Sequence, residues 1–257
     1  MILAIDIGNT NILFGEISDS GKIEQQLRIK TDLIIKNYDN LETFLTRKLS
    51  KFSLSDFKKF IIAGVVPDVE RQVKLFLSNK HSNIKIIEIN NHVLSKFINI
   101  NIDNPAEVGS DRLINSISAL NNFKAPLIIV DFGTATTFDI VDKESSYVGG
   151  LICPGIELSI ESLAKRTAKL PLISFKRTQR IIGKSTISAM ESGIYWGYVS
   201  LVNGLIKMLK SESNFKDSTV IATGGFSNLF ENDLREVDHF ISDLTLSGIF
   251  LVYKKLK

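Results

Sequence analysis

The chain has 257 residues, enough for one large domain or two moderate ones with a sizeable core. Its content, 44% hydrophobic and 23% charged, excludes a disordered chain and describes a globular one. The net charge is only +3, with no block of five like charges, so nothing argues for nucleic acid; the single cysteine, Cys153, excludes an intrachain disulfide framework and fits a reducing cytoplasm. No apolar run approaches ~20 residues, which argues against a membrane span. Met1 runs straight into a strand-like segment carrying Asp6, unlike a secretion signal, so a cytoplasmic chain is expected.

Taken in order, Ile2 to Ile5 is an apolar run that ends in Asp6-Ile7-Gly8-Asn9-Thr10. Strand-like segments follow over Asn11 to Ile17 and Ile23 to Ile29, which predicts an antiparallel meander. Leu41, Phe44, Leu45 and Leu49 recur at helical spacing within Tyr38 to Leu49. Phe60 to Val66 reads as a buried strand, Pro67 opens a helix, and Ile84 to Ile89 is another strand. The second half repeats the opening: Leu127 to Val130 leads into Asp131-Phe132-Gly133-Thr134, then Thr136 to Val141 and Tyr147 to Ile152 read as strands. Ala4 to Gly8 matches Ile129 to Gly133 at an offset of 125 residues, near half the chain, which suggests a duplicated domain. Pro154-Gly155 opens a helix expected to turn Ile156, Ile160 and Leu163 inward. A long helical stripe joins Ile187, Met190, Ile194, Tyr198, Leu201, Leu205 and Met208. Gly193 and Gly197 interrupt it at about 1 kcal/mol each relative to alanine, a cost that close helix packing would offset. Thr219 to Thr223 is a strand running into Gly224-Gly225.

Three clusters carry chemistry. In the first, an acid at a strand end precedes Gly8, which permits close backbone approach, and Asn9, Thr10 and Asn11, which offer donors to phosphate. The same residues also suit a plain hairpin turn. The second, Asp131 to Thr137, repeats the order of strand, acid, glycine and hydroxyl. Two such loops facing each other could hold a polyphosphate, with carboxylates holding the cations that offset its charge. The third, Gly109-Ser110-Asp111-Arg112, precedes a helix over Leu113 to Leu120. It reads equally as a capped helix start or as a general base, Asp111, beside an anion-binding Arg112. Gly224-Gly225 offers either a close approach to adenine or ribose, or a turn. His81, His92 and His239 lack metal-ligand spacing, and neither GxxxxGK[ST] nor GxGxxG occurs.

Together the segments DIGNTNILFG at Asp6, DNPAEVGSDR at Asp103, DFGTATTFD at Asp131, GGLICPG at Gly149, TISAMESG at Thr186, ATGG at Ala222 and LTLSG at Leu244 resemble the type III pantothenate kinase family. The resemblance covers nearly the whole chain. It implies an α/β fold of the actin-like ATPase and sugar-kinase superfamily, with two duplicated ribonuclease H-like domains, 1–118 and 119–257, and a nucleotide cleft between them. It implies ATP-dependent phosphorylation of pantothenate to 4′-phosphopantothenate, the first step of coenzyme A synthesis, in a cytoplasmic homodimer. By the same resemblance Asp6, Ile7, Gly8, Asn9, Thr10, Asn11, Ile12 and Leu13 form the first phosphate loop, with Asp6 near Mg2+, and Thr134 contacts ATP. Asp131 would bind a monovalent cation, K+ or NH4+. Asp111 would be the general base, and Gly109, Ser110, Asp111, Arg112 and Thr186 would contact pantothenate. One departure is Ile102, where the family commonly has a tyrosine; losing that hydroxyl costs about 0.5–1.5 kcal/mol of affinity. Two alternatives stand beside this reading. A nucleotide-binding transcription accessory protein should have lost part of the set Asp6, Asp111, Arg112, Asp131 and Thr186, all present here. A kinase for another small hydroxyl substrate is the other, because of Ile102.

Overall fold

A computed structural model describes residues 1–257, the Asp39 side chain excepted. Two mixed sheets organise the chain. The first is built from β1 (Ile2–Ile7), β2 (Asn11–Ile17), β3 (Ile23–Lys30), β4 (Lys59–Gly64) and β5 (Lys85–Ile89), in the order β3-β2-β1-β4-β5. Its helices are α1 (Thr31–Lys36), α2 (Leu41–Lys48), α3 (Pro67–Lys80) and the short α4 (Asn91–Leu94). β1 is central, and all its residues except Asp6 are buried, which is why it reads as one apolar run. β3 lies at the edge and alternates, as a strand with one wet face should. Leu41, Phe44, Leu45 and Leu49 are all buried under α2, as their spacing predicted.

The second sheet has the order β11-β10-β7-β8-β9-β6. Its strands are β6 (Asn99–Ile100), β7 (Leu127–Phe132), β8 (Ala135–Val141), β9 (Ser146–Pro154), β10 (Thr219–Thr223) and β11 (His239–Phe240). β7 is antiparallel to β8 and parallel to β10, as β1 is antiparallel to β2 and parallel to β4. The first sheet's order therefore recurs as β9-β8-β7-β10-β11, and β1 and β7 start and end at the same offset of 125 residues. The short sequence match is the visible part of a repeated topology.

Two compact units result, residues 1–99, 103–118 and 245–257 in one and 100–102 and 119–244 in the other. The expected boundaries assign the whole of 119–257 to the second domain. From Thr245 onward, however, α8 (Leu244–Lys255) packs with the first unit. A Cβ on Gly15 would lie 2.7 Å from Leu246, and one on Gly248 would meet Ile114, which belongs to α5 (Ser110–Asn122). The Thr245 hydroxyl donates to Asn115 Oδ1 at 2.8 Å.

In the second unit, α6 (Ile156–Arg166) buries Ile156 and Ile160, but Leu163 is exposed, contrary to its expected inward face. α7 (Thr186–Ser211) buries Met190, Tyr195, Tyr198, Val199, Val202 and Ile206, while Ile187 and Met208, at the ends of the predicted stripe, are exposed. The helix is about 39 Å long at 1.5 Å per residue. Gly193 and Gly197 have nothing within 4 Å of a Cβ, so the close packing expected for them is not made within this chain, and Gly204 is equally open. Among the described residues no helix is long and apolar enough to cross a membrane.

Candidate active site

In the first unit, Ile7 lies opposite Ile12, so Gly8 to Asn11 form a four-residue turn between β1 and β2. The Gly8 N–H closes it by donating to the Asn11 carbonyl at 3.0 Å. Buried Thr31 clamps it from outside. Its N–H donates to the Thr10 carbonyl at 2.8 Å and its hydroxyl to the Gly8 carbonyl at 2.7 Å. The segment is thus a hairpin, the plainer option, and also a fastened backbone carrying Asn9, Thr10 and Asn11. Asp6 is half-buried at the carboxyl end of β1, between Leu13 and Ala63 in register. Ile7 and Ile12 point into the core, so only their main chain can serve a ligand; Leu13 is half-buried.

The start of α5 hangs on the same strand ends. Gly64 pairs with Ile7, and the Ser110 hydroxyl donates to the Gly64 carbonyl at 3.2 Å. Ser110 is buried and its hydroxyl is committed there, whereas Gly109, Asp111 and Arg112 remain partly exposed. Asp111 Oδ1 accepts the Arg112 N–H at 2.9 Å. Burial pushes the Asp111 carboxyl above its ordinary value of 3.8, and the Arg112 N–H and guanidinium offset this only in part. A Cβ at Gly109 would lie within 3 Å of Asp111 Oδ1, so a larger residue there would displace the carboxylate. The outcome is a partly desolvated carboxylate with raised proton affinity, the property a general base needs.

In the second unit, Phe132 lies opposite Thr136, and the Gly133 N–H donates to the Ala135 carbonyl at 3.1 Å. Asp131 is half-buried between Thr137 and Thr223. Gly224 follows with φ +92°, and a Cβ there would meet Phe132 N and O at 2.7 Å and Asp131 Oδ1 closer still. The close backbone approach sought at Gly224 is therefore made to the Asp131 carboxylate. Thr134 is exposed, and its carbonyl lies where a Cβ of Gly155 would be. Ile102 is half-buried, its Cγ2 3.8 Å from a Cβ on Gly149. Thr186 is exposed at the first position of α7, behind a capping box of Ser185 and Ser188.

Sequence reasoning missed Thr31, Gly64 and the packing role of Gly155. Gly64 had a signal: it ends β4 as Gly224 follows β10, a match that aligning the two copies exposes. Among the described residues no group of three or more His, Cys, Asp or Glu side chains is placed to hold a metal alone.

A sheet order used twice, with an acidic hairpin at the central strand of each copy, defines the actin-like ATPase and sugar-kinase class of fold. Two solved structures share it. One is described as a 2-dehydro-3-deoxygalactonokinase of Sinorhizobium meliloti, with TM-score 0.60, 11% identity, and 100% of this chain and 99% of that one covered. The other is the ethanolamine utilization protein EutJ of Carboxydothermus hydrogenoformans, with TM-score 0.53, 14% identity, and 97% and 88% covered. The family model for type III pantothenate kinase matches residues 2–208. A type III pantothenate kinase of Paramagnetospirillum magneticum is 40% identical over 99% of this chain and 97% of its own length. One of an Exiguobacterium species is 40% identical over 99% of each. The chain belongs to the type III pantothenate kinase family.

Proposed function

We propose that the chain transfers the γ-phosphoryl group of ATP to the primary hydroxyl of pantothenate, giving ADP and 4′-phosphopantothenate. The observation that carries the reading is Asp111, a carboxylate with raised proton affinity, fixed beside the strand ends that bear the Asp6 turn. In the proposed step the substrate oxygen forms a bond to the γ-phosphorus as the bond to the β-bridging oxygen breaks. ADP leaves with that electron pair, and Asp111 takes the hydroxyl proton. Arg112 and Gly109 line the pantothenate side, with Ser110 anchoring them to Gly64 and Thr186 contributing its hydroxyl. Asp6 to Leu13 bind the ATP phosphates through turn main chain and the side chains of Asn9, Thr10 and Asn11, and Thr134 contacts ATP.

The donors fit hard cations. Mg2+ leans on one or two carboxylates, phosphates and water, so Asp6 needs no further protein ligands. Asp131 stands with the Phe132 carbonyl beside Gly224, and a backbone carbonyl is an oxygen donor of the kind that replaces the hydration shell of K+. When bound, these cations neutralise phosphate charge. We place the protein in the cytoplasm, working as a homodimer. Exposed Leu158, Leu172, Ile181, Ile182 and Ile187, and the open glycine face of α7, support the dimer. Light scattering at the monomer mass throughout the working range would remove it.

The test is ADP release with pantothenate against a panel of hexoses and 2-dehydro-3-deoxy sugars. Turnover with pantothenate alone is expected. Turnover on a sugar with none on pantothenate would replace the reading. Restoring the aromatic hydroxyl, Ile102→Tyr, should lower the pantothenate KM by about 2- to 10-fold.

A further inference from the structure

Residues 167–185 connect α6 to α7 with neither helix nor strand, yet their last six residues are fastened tightly onto the helix that follows. The Ser192 hydroxyl, buried one turn and a half into α7, donates back to the carbonyls of Arg180, at 3.2 Å, and Ile181. Gly183 lies so close to the α7 backbone that a Cβ would come within 3 Å of Ser188 C, Ala189 N and Ala189 Cα. Ser188 Oγ accepts from the N–H groups of Lys184 and Ser185, at 3.0 and 2.9 Å. The Ser188 N–H in turn donates to Ser185 Oγ at 3.2 Å. Ser185 O accepts from the Ala189 N–H at 2.8 Å. Upstream, Arg177 makes a bidentate pair with Asp233 at 2.7 and 3.1 Å, and Asp233 also accepts from Tyr195 of α7 at 2.5 Å.

Thr186 sits inside this brace. The residues before and after it are tied down, while Thr186 is exposed and among the described residues no group donates to or accepts from its own hydroxyl. A capping box alone would satisfy the helix end. It would not call for the buried Ser192 hydroxyl further along the helix, nor for a glycine in backbone contact with it. A backbone held this rigidly around one uncommitted hydroxyl is the arrangement that fixes a ligand contact in place.

We propose that Gly183 and Ser192 are positioning residues for Thr186, pressing residues 180–185 onto the first two turns of α7 so that the Thr186 hydroxyl is held where pantothenate is bound. The inference rests on the assignment of Thr186 to pantothenate made above. The experiment compares Gly183→Ala, Ser192→Ala, Ser192→Thr and Thr186→Ala in the full chain, with KM measured separately for pantothenate and ATP. Calorimetric binding of pantothenate in the presence of a non-hydrolysable ATP analogue is the second readout. Gly183→Ala should lower kcat/KM for pantothenate by about 10-fold or more. Ser192→Ala should raise the pantothenate KM about 3- to 10-fold, the loss of one buried hydrogen bond. Both should leave the ATP KM within about two-fold, and Ser192→Thr should recover most of the loss. If Gly183→Ala fails to fold, Ser192→Ala, which adds no atom, decides. A normal pantothenate KM in Ser192→Ala, or an equal rise for both substrates, would overturn the positioning role while a defect in Thr186→Ala leaves the pantothenate reading standing. A Thr186→Ala variant with normal pantothenate affinity would remove the assignment itself, and the inference with it.

Discussion

The two acidic hairpins occupy equivalent places in their sheets and are built differently. After Asp6 the turn takes four residues and carries three polar side chains, clamped by Thr31. After Asp131 it is one residue shorter, because Phe132 already faces Thr136 where Ile7 faces Ile12. The neighbouring glycines differ too. Gly64 has Glu70 Oε2 and Ile7 at 3.1 Å from a Cβ position, whereas Gly224, at φ +92°, abuts Asp131 and the Phe132 main chain. In both units a serine hydroxyl ties the glycine's carbonyl, Ser110 at 3.2 Å and Ser227 at 2.9 Å. Ser110 comes from a distant segment and brings Asp111 with it; Ser227 comes from the next turn and is followed by Asn228. The two copies share one scaffold and differ locally, by one residue in turn length and by what lies against the neighbouring glycine. On the roles proposed above, the first copy would hold phosphate and the base, while the second sets the Asp131 carboxylate and the Phe132 carbonyl beside Gly224.

If the base belongs to the first copy alone, Asp111→Asn should lower turnover by about 10²- to 10⁴-fold with ATP binding intact. It should also raise the unfolding midpoint. A carboxyl whose folded pKa is raised contributes stability that is fully present below 3.8 and is lost as pH rises through the raised value. At neutral pH that contribution is gone, and removing the charge removes the desolvation cost. Initial rates and thermal melts at neutral pH check both halves; unchanged turnover would move the base elsewhere.

The glycine pair sharpens the contrast. Gly224→Ala should cost about 1–3 kcal/mol, from positive φ and collision with backbone. Gly64→Ala, whose contacts include the movable Glu70 side chain, should cost about 1 kcal/mol or less. Urea denaturation of both variants gives the comparison, and equal losses would erase it. A smaller effect is expected at the clamp. Thr31→Val loses the hydroxyl bond to Gly8, worth about 1 kcal/mol, and should raise the ATP KM a few-fold without altering the pantothenate KM.

Much of this was legible in the chain. The burial of β1 and β7 on both faces makes them continuous apolar runs, and the polar residues that follow announce the turns. The site clusters were equally visible as Asp-x-Gly and Gly-Ser-Asp-Arg strings. What the sequence hid is contact between distant residues. Thr31 looks like an ordinary helix-opening threonine until its bonds to Gly8 and Thr10 are seen. Nothing local marks Gly183 as lying on the α7 backbone, or α8 as packing on Gly15 and Ile114. Of the predicted α7 stripe only Met190 and Tyr198 are buried, with Ile194, Leu201 and Leu205 half-buried and Ile187 and Met208 exposed, because the packed face also runs through Tyr195, Val199, Val202 and Ile206.

The unequal roles of the two hairpins are tested most directly by titrating KCl and NaCl against Asp6→Asn and Asp131→Asn, reading activity and the shift each salt gives in the unfolding midpoint. Asp131→Asn should lose the distinction between K+ and Na+ in both readouts, while Asp6→Asn, weakened in ATP use, keeps it. Full K+ selectivity in Asp131→Asn, or its disappearance in Asp6→Asn, would show that Asp131 is not the monovalent-cation ligand.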